Sequence, residues 1–208
     1  MNHNKQAQIF AHRGANREAA ENTRSAFDKA LAYPIDGIET DVQLSRDEVA
    51  VLWHDDFLGK VGLPDKHIDD FDHVQLQSMN FAGFFSGATV EGIMALQDFV
   101  TAYRQRCHLV LEVKNFDWEP ISRHEEKMRQ TLTIAGAFNG EAHDDAIIVS
   151  SFNLPSLIYA HQCAPDFPLV YNFEPEQTIE DAKQALAEQP FLHGLCLSIK
   201  SLDATIVE

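Results

Sequence analysis

The chain has 208 residues, enough for one good core, and the length favours a single domain over residues 1–208. Its 45% hydrophobic content argues against disorder. Sixteen basic against 32 acidic side chains give a formal net charge of −16, which argues against a nucleic-acid or anionic-membrane surface. Bulk charge is screened beyond about 8 Å, so a small anionic substrate is not excluded.

The polar start MNHNKQAQ runs straight into the first apolar segment. No apolar run reaches the ~18 residues that a membrane span needs, so neither a leader nor a span is expected and the cytoplasm is the default location. Cys107, Cys163 and Cys196 are widely spaced and form no CxxC pair. They are expected to be buried free thiols in a reducing compartment.

The first apolar run, Ile9 to Ala11, ends abruptly in His12-Arg13-Gly14. Asn22-Thr23 then opens a helical stripe of Ala26, Phe27, Ala30 and Leu31, with Asn22 or Thr23 as its cap and Glu21 tied back toward Arg13. The runs GIETDVQL and VAVLWHD follow. Next come a stripe of Leu96, Phe99, Val100 and Tyr103, the run HLVLEVK and the helical EEKMRQTLTIAGAF. AIIVSSF, LPSLIYAHQC, PLVYNFE, TIEDAKQALAE and GLCLSIK complete the alternation, with Asn153 and Thr178 as helix caps. Strand–helix alternation of this kind predicts a parallel sheet with helical crossovers, either an open doubly wound sheet or a closed eight-fold barrel. Neither nucleotide-binding glycine fingerprint is present to support the open sheet.

One connection breaks the alternation. Ser45 to Glu48 is too short for a parallel crossover, so GIETDVQL and VAVLWHD form an antiparallel hairpin. A turn centred between Arg46 and Asp47 places His54 opposite Glu39, and Glu39, Asp41 and His54 then share a face. A slip of one residue would send His54 to the other face.

Polar groups thus collect at strand ends that are otherwise Val, Leu and Ile: His12 and Arg13; Glu39, Asp41 and His54; Glu112 and Lys114. Buried carboxylates must be paired or bind metal. The plain alternative is a set of salt bridges at a barrel mouth, such as Glu112 with Arg13. Three carboxylates offer a hard divalent cation an oxygen-rich site, for Mg²⁺ or Ca²⁺ more than zinc. Two imidazoles can divide general acid and base. Arg13 offers a planar fork for phosphate oxygens and Lys114 a point charge. Gly14 lets the backbone approach a ligand closely. The set suits displacement at phosphorus.

AHRG…ENT, GIETDV, VLWHD, LEVK and IIVSSFN, in this order, resemble the successive motifs of the glycerophosphodiester phosphodiesterase family, part of the phospholipase-C-like phosphodiesterase barrels. The resemblance implies an α/β fold, a (β/α)8 TIM-type barrel. It implies His12 and His54 as the acid/base pair and Glu39, Asp41 and Glu112 as ligands of Mg²⁺ or Ca²⁺. Arg13 and Lys114 become phosphate contacts. The implied reaction splits a small-molecule glycerophosphodiester into an alcohol and glycerol 3-phosphate, by attack of the glycerol 2-hydroxyl through a cyclic intermediate. Alternatives are a related enzyme with another head-group, such as a lysophospholipase-D-like one, and a non-catalytic phosphodiester-binding protein.

The sequence also departs from the family pattern. HDDFLGKVG lacks the Arg-Thr-Thr that commonly follows the HD motif. Residues 55–92 match a small insertion after the second strand, in which Phe81, Phe84 and Phe85 either form a lid or a satellite apolar cluster. Ser150-Ser151-Phe152 is either a substrate contact or a turn. Six barrel strands are expected before the chain reaches SLDATIVE. The family's last two strands are missing, which is the expectation for a C-terminal truncation.

Overall fold

The computed structural model describes residues 7–136 and 147–198. The end of EEKMRQTLTIAGAF, the start of AIIVSSF, the end of GLCLSIK and the segment SLDATIVE lie outside these residues. Seven strands form one sheet: β1 (Phe10–His12), β2 (Gly37–Leu44), β3 (Ala50–Leu52), β4 (His108–Val113), β5 (Ile147–Ser151), β6 (Leu169–Asn172) and β7 (Gly194–Cys196). Their order is β1-β2-β4-β5-β6-β7, with β3 paired to β2 alone. Every pair along the main path is parallel and β2–β3 is antiparallel. Strands that follow one another in chain order, without the reversal of a doubly wound sheet, make the wall of a TIM-type barrel. Among the described residues that wall has six parallel strands, as expected.

Period-two alternation decides what each strand offers to each side. In β4, Leu109, Leu111 and Val113 are buried in the main core while Glu112 lies on the other face. In β2, Ile38 and Val42 join the same core while Glu39, Asp41 and Gln43 alternate with them. Helices cover the apolar side. Helix α1 (Arg24–Ala30) is capped by Thr23, whose hydroxyl accepts from the Ala26 amide. Phe27 of α1 packs at 4.6 Å on Phe99 and 5.5 Å on Tyr103 of α3 (Leu96–Tyr103). A short helix, α2 (His73–Ser78), lies in the insertion. Helix α4 spans Ile121–Gly136, starting earlier than its sequence pattern. The caps of α5 (Leu154–Cys163) and α6 (Ile179–Glu188) are Asn153 and Thr178, as their sequences predict. No helix among the described residues is long and apolar enough to cross a membrane.

The hairpin register differs from expectation by one residue. Val42 pairs with Leu52 and Leu44 with Ala50, so extending the ladder places Asp55, not His54, opposite Glu39 and moves His54 to the level of Thr40. The cause is the turn: Ser45 N–H donates to Val49 O at 3.0 Å, leaving a three-residue loop with Glu48 at φ +61°. Such loops end in a left-handed residue and shift the pairing by one relative to an even-numbered turn. His54 is therefore not on the ladder at all, since β3 ends at Leu52.

The insertion has its own core. Val51, Trp53, Leu58, Ile68, Leu76, Phe81 and Ile93 form a second buried apolar cluster, with Phe84 packed against it. For Phe81 and Phe84 the satellite cluster is the reading observed, while Phe85 lines a separate cavity with Ala19, Ala20 and Lys29. The cysteines are free, but Cys163 and Cys196 are exposed and Cys107 is half-buried. Their expected burial fails because Cys163 and Cys196 are the last residues of α5 and β7, where the chain leaves the core.

Candidate active site

The C-terminal ends of β1, β2 and β4 bring the sequence-predicted residues together. In register, His12 neighbours Glu39 and Asp41 neighbours Glu112. One oxygen from each of Glu39, Asp41 and Glu112 lies within 4.8 Å of the others. Asp41 is fully buried, and Glu39 and Glu112 nearly so, with side chains 13% and 12% exposed.

Each carboxylate has one committed oxygen or more. Glu39 Oε2 accepts from the Arg13 backbone N–H at 3.1 Å and lies 3.8 Å from His12 Nε2. Asp41 Oδ2 accepts from Asn22 Nδ2 at 2.9 Å and pairs with Arg13 Nε at 3.1 Å. Glu112 Oε1 accepts from Lys114 Nζ at 2.6 Å, and its Oε2 accepts from Asn172 Nδ2 at 3.2 Å. The Glu112–Arg13 bridge of the plain alternative is not among the observed pairs: Lys114 pairs with Glu112, and Arg13 with Asp41 and Glu21. Glu39 Oε1 and Asp41 Oδ1 are buried without a hydrogen-bond partner. Burial, then the charges of Asp41 and Glu112, push the Glu39 carboxyl well above the usual carboxylate range. Lys114 Nζ stands 3.9 Å from Asp41 Oδ1, an ion pair beyond hydrogen-bond reach; crowded carboxylates with oxygens that no hydrogen bond claims are the donor set of a hard divalent cation, so these residues fit one.

Backbone strain sharpens the turn after β1. Arg13 (φ +58°), Gly14 (φ +80°) and Asn22 (φ +56°) all occupy the left-handed region, which costs a non-glycine residue about 1–3 kcal/mol and collects at functional sites. A Cβ on Gly14 would stand 2.7 Å from the Ala26 carbonyl carbon. Its missing side chain therefore admits helix α1, not a ligand as expected. The Arg13–Glu21 tie is present at 3.4 Å.

His54 reaches the site by a route the ladder does not provide. Gln43 Nε2 donates to the carbonyls of Trp53 and Asp55, both at 2.9 Å, bending the chain where β3 has ended. His54 then lines a cavity of about 430 Å³ with Glu112, Lys114, Asn115, Phe116 and Phe152. Its Nδ1 lies 2.7 Å from Asp55 Oδ1, which leaves Nε2 as the exchanging nitrogen in the tautomer this contact favours. His12 is pushed below its usual value, first by desolvation and then by the Arg13 guanidinium.

Sequence reasoning missed four contributors: Asn22, which also accepts from Thr40 Oγ1 at 2.8 Å, Gln43, Asp55 and Asn172. Asp55, in the HD motif, and Asn22, in the ENT motif, carried a local signal; Gln43 and Asn172 carried none. Ser150 and Ser151 are buried structural groups; Ser151 Oγ donates to Val113 O at 2.9 Å. Phe152 is 40% exposed in the cavity wall.

Comparison with known proteins gives this arrangement its relatives. Residues 12–204 match the glycerophosphoryl diester phosphodiesterase family. An uncharacterized protein of Mycoplasma genitalium is 31% identical over 195 residues, covering 92% of this chain and 78% of that protein. A glycerophosphodiester phosphodiesterase of Bacillus altitudinis is 31% identical over 167 residues, covering 77% of this chain and 64% of that enzyme. The chain spans just under two thirds of the length of several such relatives. A solved phosphodiesterase from Oleispira antarctica, in complex with the product sn-glycerol-3-phosphate, superposes with a TM-score of 0.82 at 26% identity, over 97% of this chain and 78% of that one. With matching motifs, matching wall topology and a family match across nearly its whole length, the chain belongs to the glycerophosphoryl diester phosphodiesterase family.

Proposed function

We propose that the protein hydrolyses glycerophosphodiesters to an alcohol and sn-glycerol 3-phosphate. The observation that carries this reading is the carboxylate trio, with oxygens within 4.8 Å of one another, flanked by Arg13 and Lys114 and approached by two histidines. Glu39, Asp41 and Glu112 would hold Mg²⁺ or Ca²⁺. A divalent cation bound there supplies neutralisation of charge on the phosphoryl oxygens.

Arg13 and Lys114 orient the phosphate, and Asp41 and Glu112 fix where their heads point. His12, which desolvation and then Arg13 bias toward its neutral form, takes the proton of the attacking glycerol 2-hydroxyl. His54 acts as the imidazolium, its Nδ1–H directed at Asp55, and delivers its Nε2 proton to the leaving alkoxide. Water then opens the cyclic phosphodiester with the two histidines in reversed roles, so no net proton is gained or lost by the protein.

A second reading, a bulkier head-group, is favoured by one feature of the cavity rim. Phe116 stacks at 5.9 Å on Trp118, Trp118 meets His67 at 4.3 Å, and His67 meets Phe57 at 4.4 Å. This row starts in the cavity wall and ends on exposed rings.

The test is release of glycerol 3-phosphate from glycerophosphocholine and glycerophosphoethanolamine, with Mg²⁺ or Ca²⁺ and again with chelator, beside release of choline from lysophosphatidylcholine. Metal-dependent glycerol 3-phosphate release is the expected result. Choline release from the lysolipid alone would select the second reading, and no release from any substrate would contradict both.

A further inference from the structure

Lys60 belongs to the insertion, in the short 3-10 turn Gly59–Val61, yet its ammonium touches both arms of the site. Lys60 Nζ donates to Glu21 Oε1 at 2.7 Å and lies 2.9 Å from Asp55 Oδ2. Glu21 is the carboxylate that holds Arg13 at 3.4 Å, and Asp55 is the one that holds His54 Nδ1 at 2.7 Å. We infer that Lys60 is a positioning residue that couples the His54 arm to the Arg13 arm through Asp55 and Glu21. The inference rests on the acid/base role proposed for His54.

The electrostatics require a cation at this point. Glu21 and Asp55 come from different loops and converge on one ammonium; burial opposes ionisation of both, the charge of Asp55 adds to this at Glu21, and contact with Lys60 helps to bring each carboxyl below its ordinary value. Asp55 can aim His54 only while it is ionised and held in place. The ammonium is itself held, 5.7 Å from the ring centroids of both Trp53 and Phe84. Those rings belong to the insertion's own core. The satellite cluster thus has a functional consequence: it fixes the anchor of a cation that serves the barrel. An ordinary exposed salt bridge, worth about 0–1 kcal/mol, would bridge surface groups and leave the histidine indifferent.

Lys60→Met separates the two cases, since it keeps an unbranched stem against Trp53 and Phe84 and removes the charge. Lys60→Arg keeps the charge. In ¹⁵N-histidine NMR of the 208-residue chain at a pH where His54 is neutral, with His54 assigned by His54→Gln, the wild type should show protonated Nδ1 and bare Nε2, the nitrogen that carries the transferable proton in the acid form. Lys60→Met should shift those resonances toward a tautomer mixture, and Lys60→Arg should restore them. With glycerophosphocholine, Lys60→Met should lower kcat about 10–100-fold, the range for groups that orient a reacting residue. KM should move much less, and Lys60→Arg should recover most of the loss. Unchanged His54 resonances in Lys60→Met, with or without a lower Tm, would overturn the coupling, as would a Lys60→Arg variant no better than Lys60→Met. If the wild type released no product, the proposed reaction would fail while the NMR arm still decided the role of Lys60.

Discussion

On one side of the segment that leaves β4, Lys127 and Glu119 are buried with their charges matched. Lys127 Nζ donates to Glu119 Oε2 at 2.7 Å and to the carbonyl of Lys114 at 2.5 Å. Glu119 Oε2 also accepts from the Phe116 amide at 2.9 Å and lies 3.4 Å from His124 Nε2. On the other side of the same segment, Glu39, Asp41 and Glu112 face Arg13 and Lys114. Three carboxylates there meet two cations, and Glu39 Oε1 and Asp41 Oδ1 have no hydrogen-bond partner. Both clusters are expensive to bury. The first spends its charge on itself and holds the Lys114–Phe116 segment in shape. The second keeps a surplus of negative charge and unpaired acceptors, the condition for binding a cation.

If that difference is real, equivalent substitutions should act differently on the two sides. The largest effect belongs to the histidine beside the surplus cluster. His54→Ala should lower turnover of glycerophosphocholine by about 10²–10⁴-fold, the usual worth of a positioned acid or base, while cation affinity measured by calorimetry stays near wild type. An active His54→Ala variant would remove that residue from the chemistry.

Glutamate-to-glutamine changes come next. Glu119→Gln leaves the Lys127 ammonium buried without its counter-charge and should destabilise the fold by about 3–5 kcal/mol in urea unfolding. Glu112→Gln, in chelator, relieves repulsion on Glu39 and should leave the urea midpoint unchanged or raised. Equal losses from the two variants would erase the distinction between the clusters.

The smallest effect is a slope. Burial pushes the Lys127 ammonium down to about 8 from 10.5, against the pull of Glu119. Between those values the unfolded chain binds the proton and the folded chain does not. Stability from this group therefore rises with pH across that window, by at most about 1.4 kcal/mol per pH unit. Cys107, pushed up by burial to about 11, acts in the opposite direction above pH 9.0 in any variant. The difference between wild type and Lys127→Met, followed by urea unfolding as pH rises from 8, isolates the lysine. Parallel curves would contradict a buried charged Lys127.

How much of this was readable in advance follows from how local each determinant is. Strand and helix order, the Asn153 and Thr178 caps and the Leu96–Tyr103 stripe depend on neighbours a few residues away, and the sequence displays them. The candidate-site residues were legible for a related reason: charged groups at the ends of apolar strands have no local use, so their types and spacing pointed outward. The hairpin register was not legible, because Glu48 in a left-handed conformation changes an even turn into an odd one without a glycine to mark it. Gln43 and Asn172 look like ordinary polar residues until the fold brings them to Trp53 and Glu112. Residues 55–92 showed no period because their apolar groups serve Trp53 and Val51 from irregular segments, not from one face of a helix.

The central claim is that the surplus carboxylates of β2 and β4 form a cation site. Its most direct test is titration of Mg²⁺ and of Ca²⁺ into the chelator-treated chain, read by calorimetry and by Tm, in wild type, Glu112→Gln and Glu119→Gln. One cation should bind per chain and raise Tm, with binding weakened at least about tenfold in Glu112→Gln and retained in Glu119→Gln where that variant is folded. No cation-dependent stabilisation of the wild type, or the same stabilisation in Glu112→Gln, would contradict the claim.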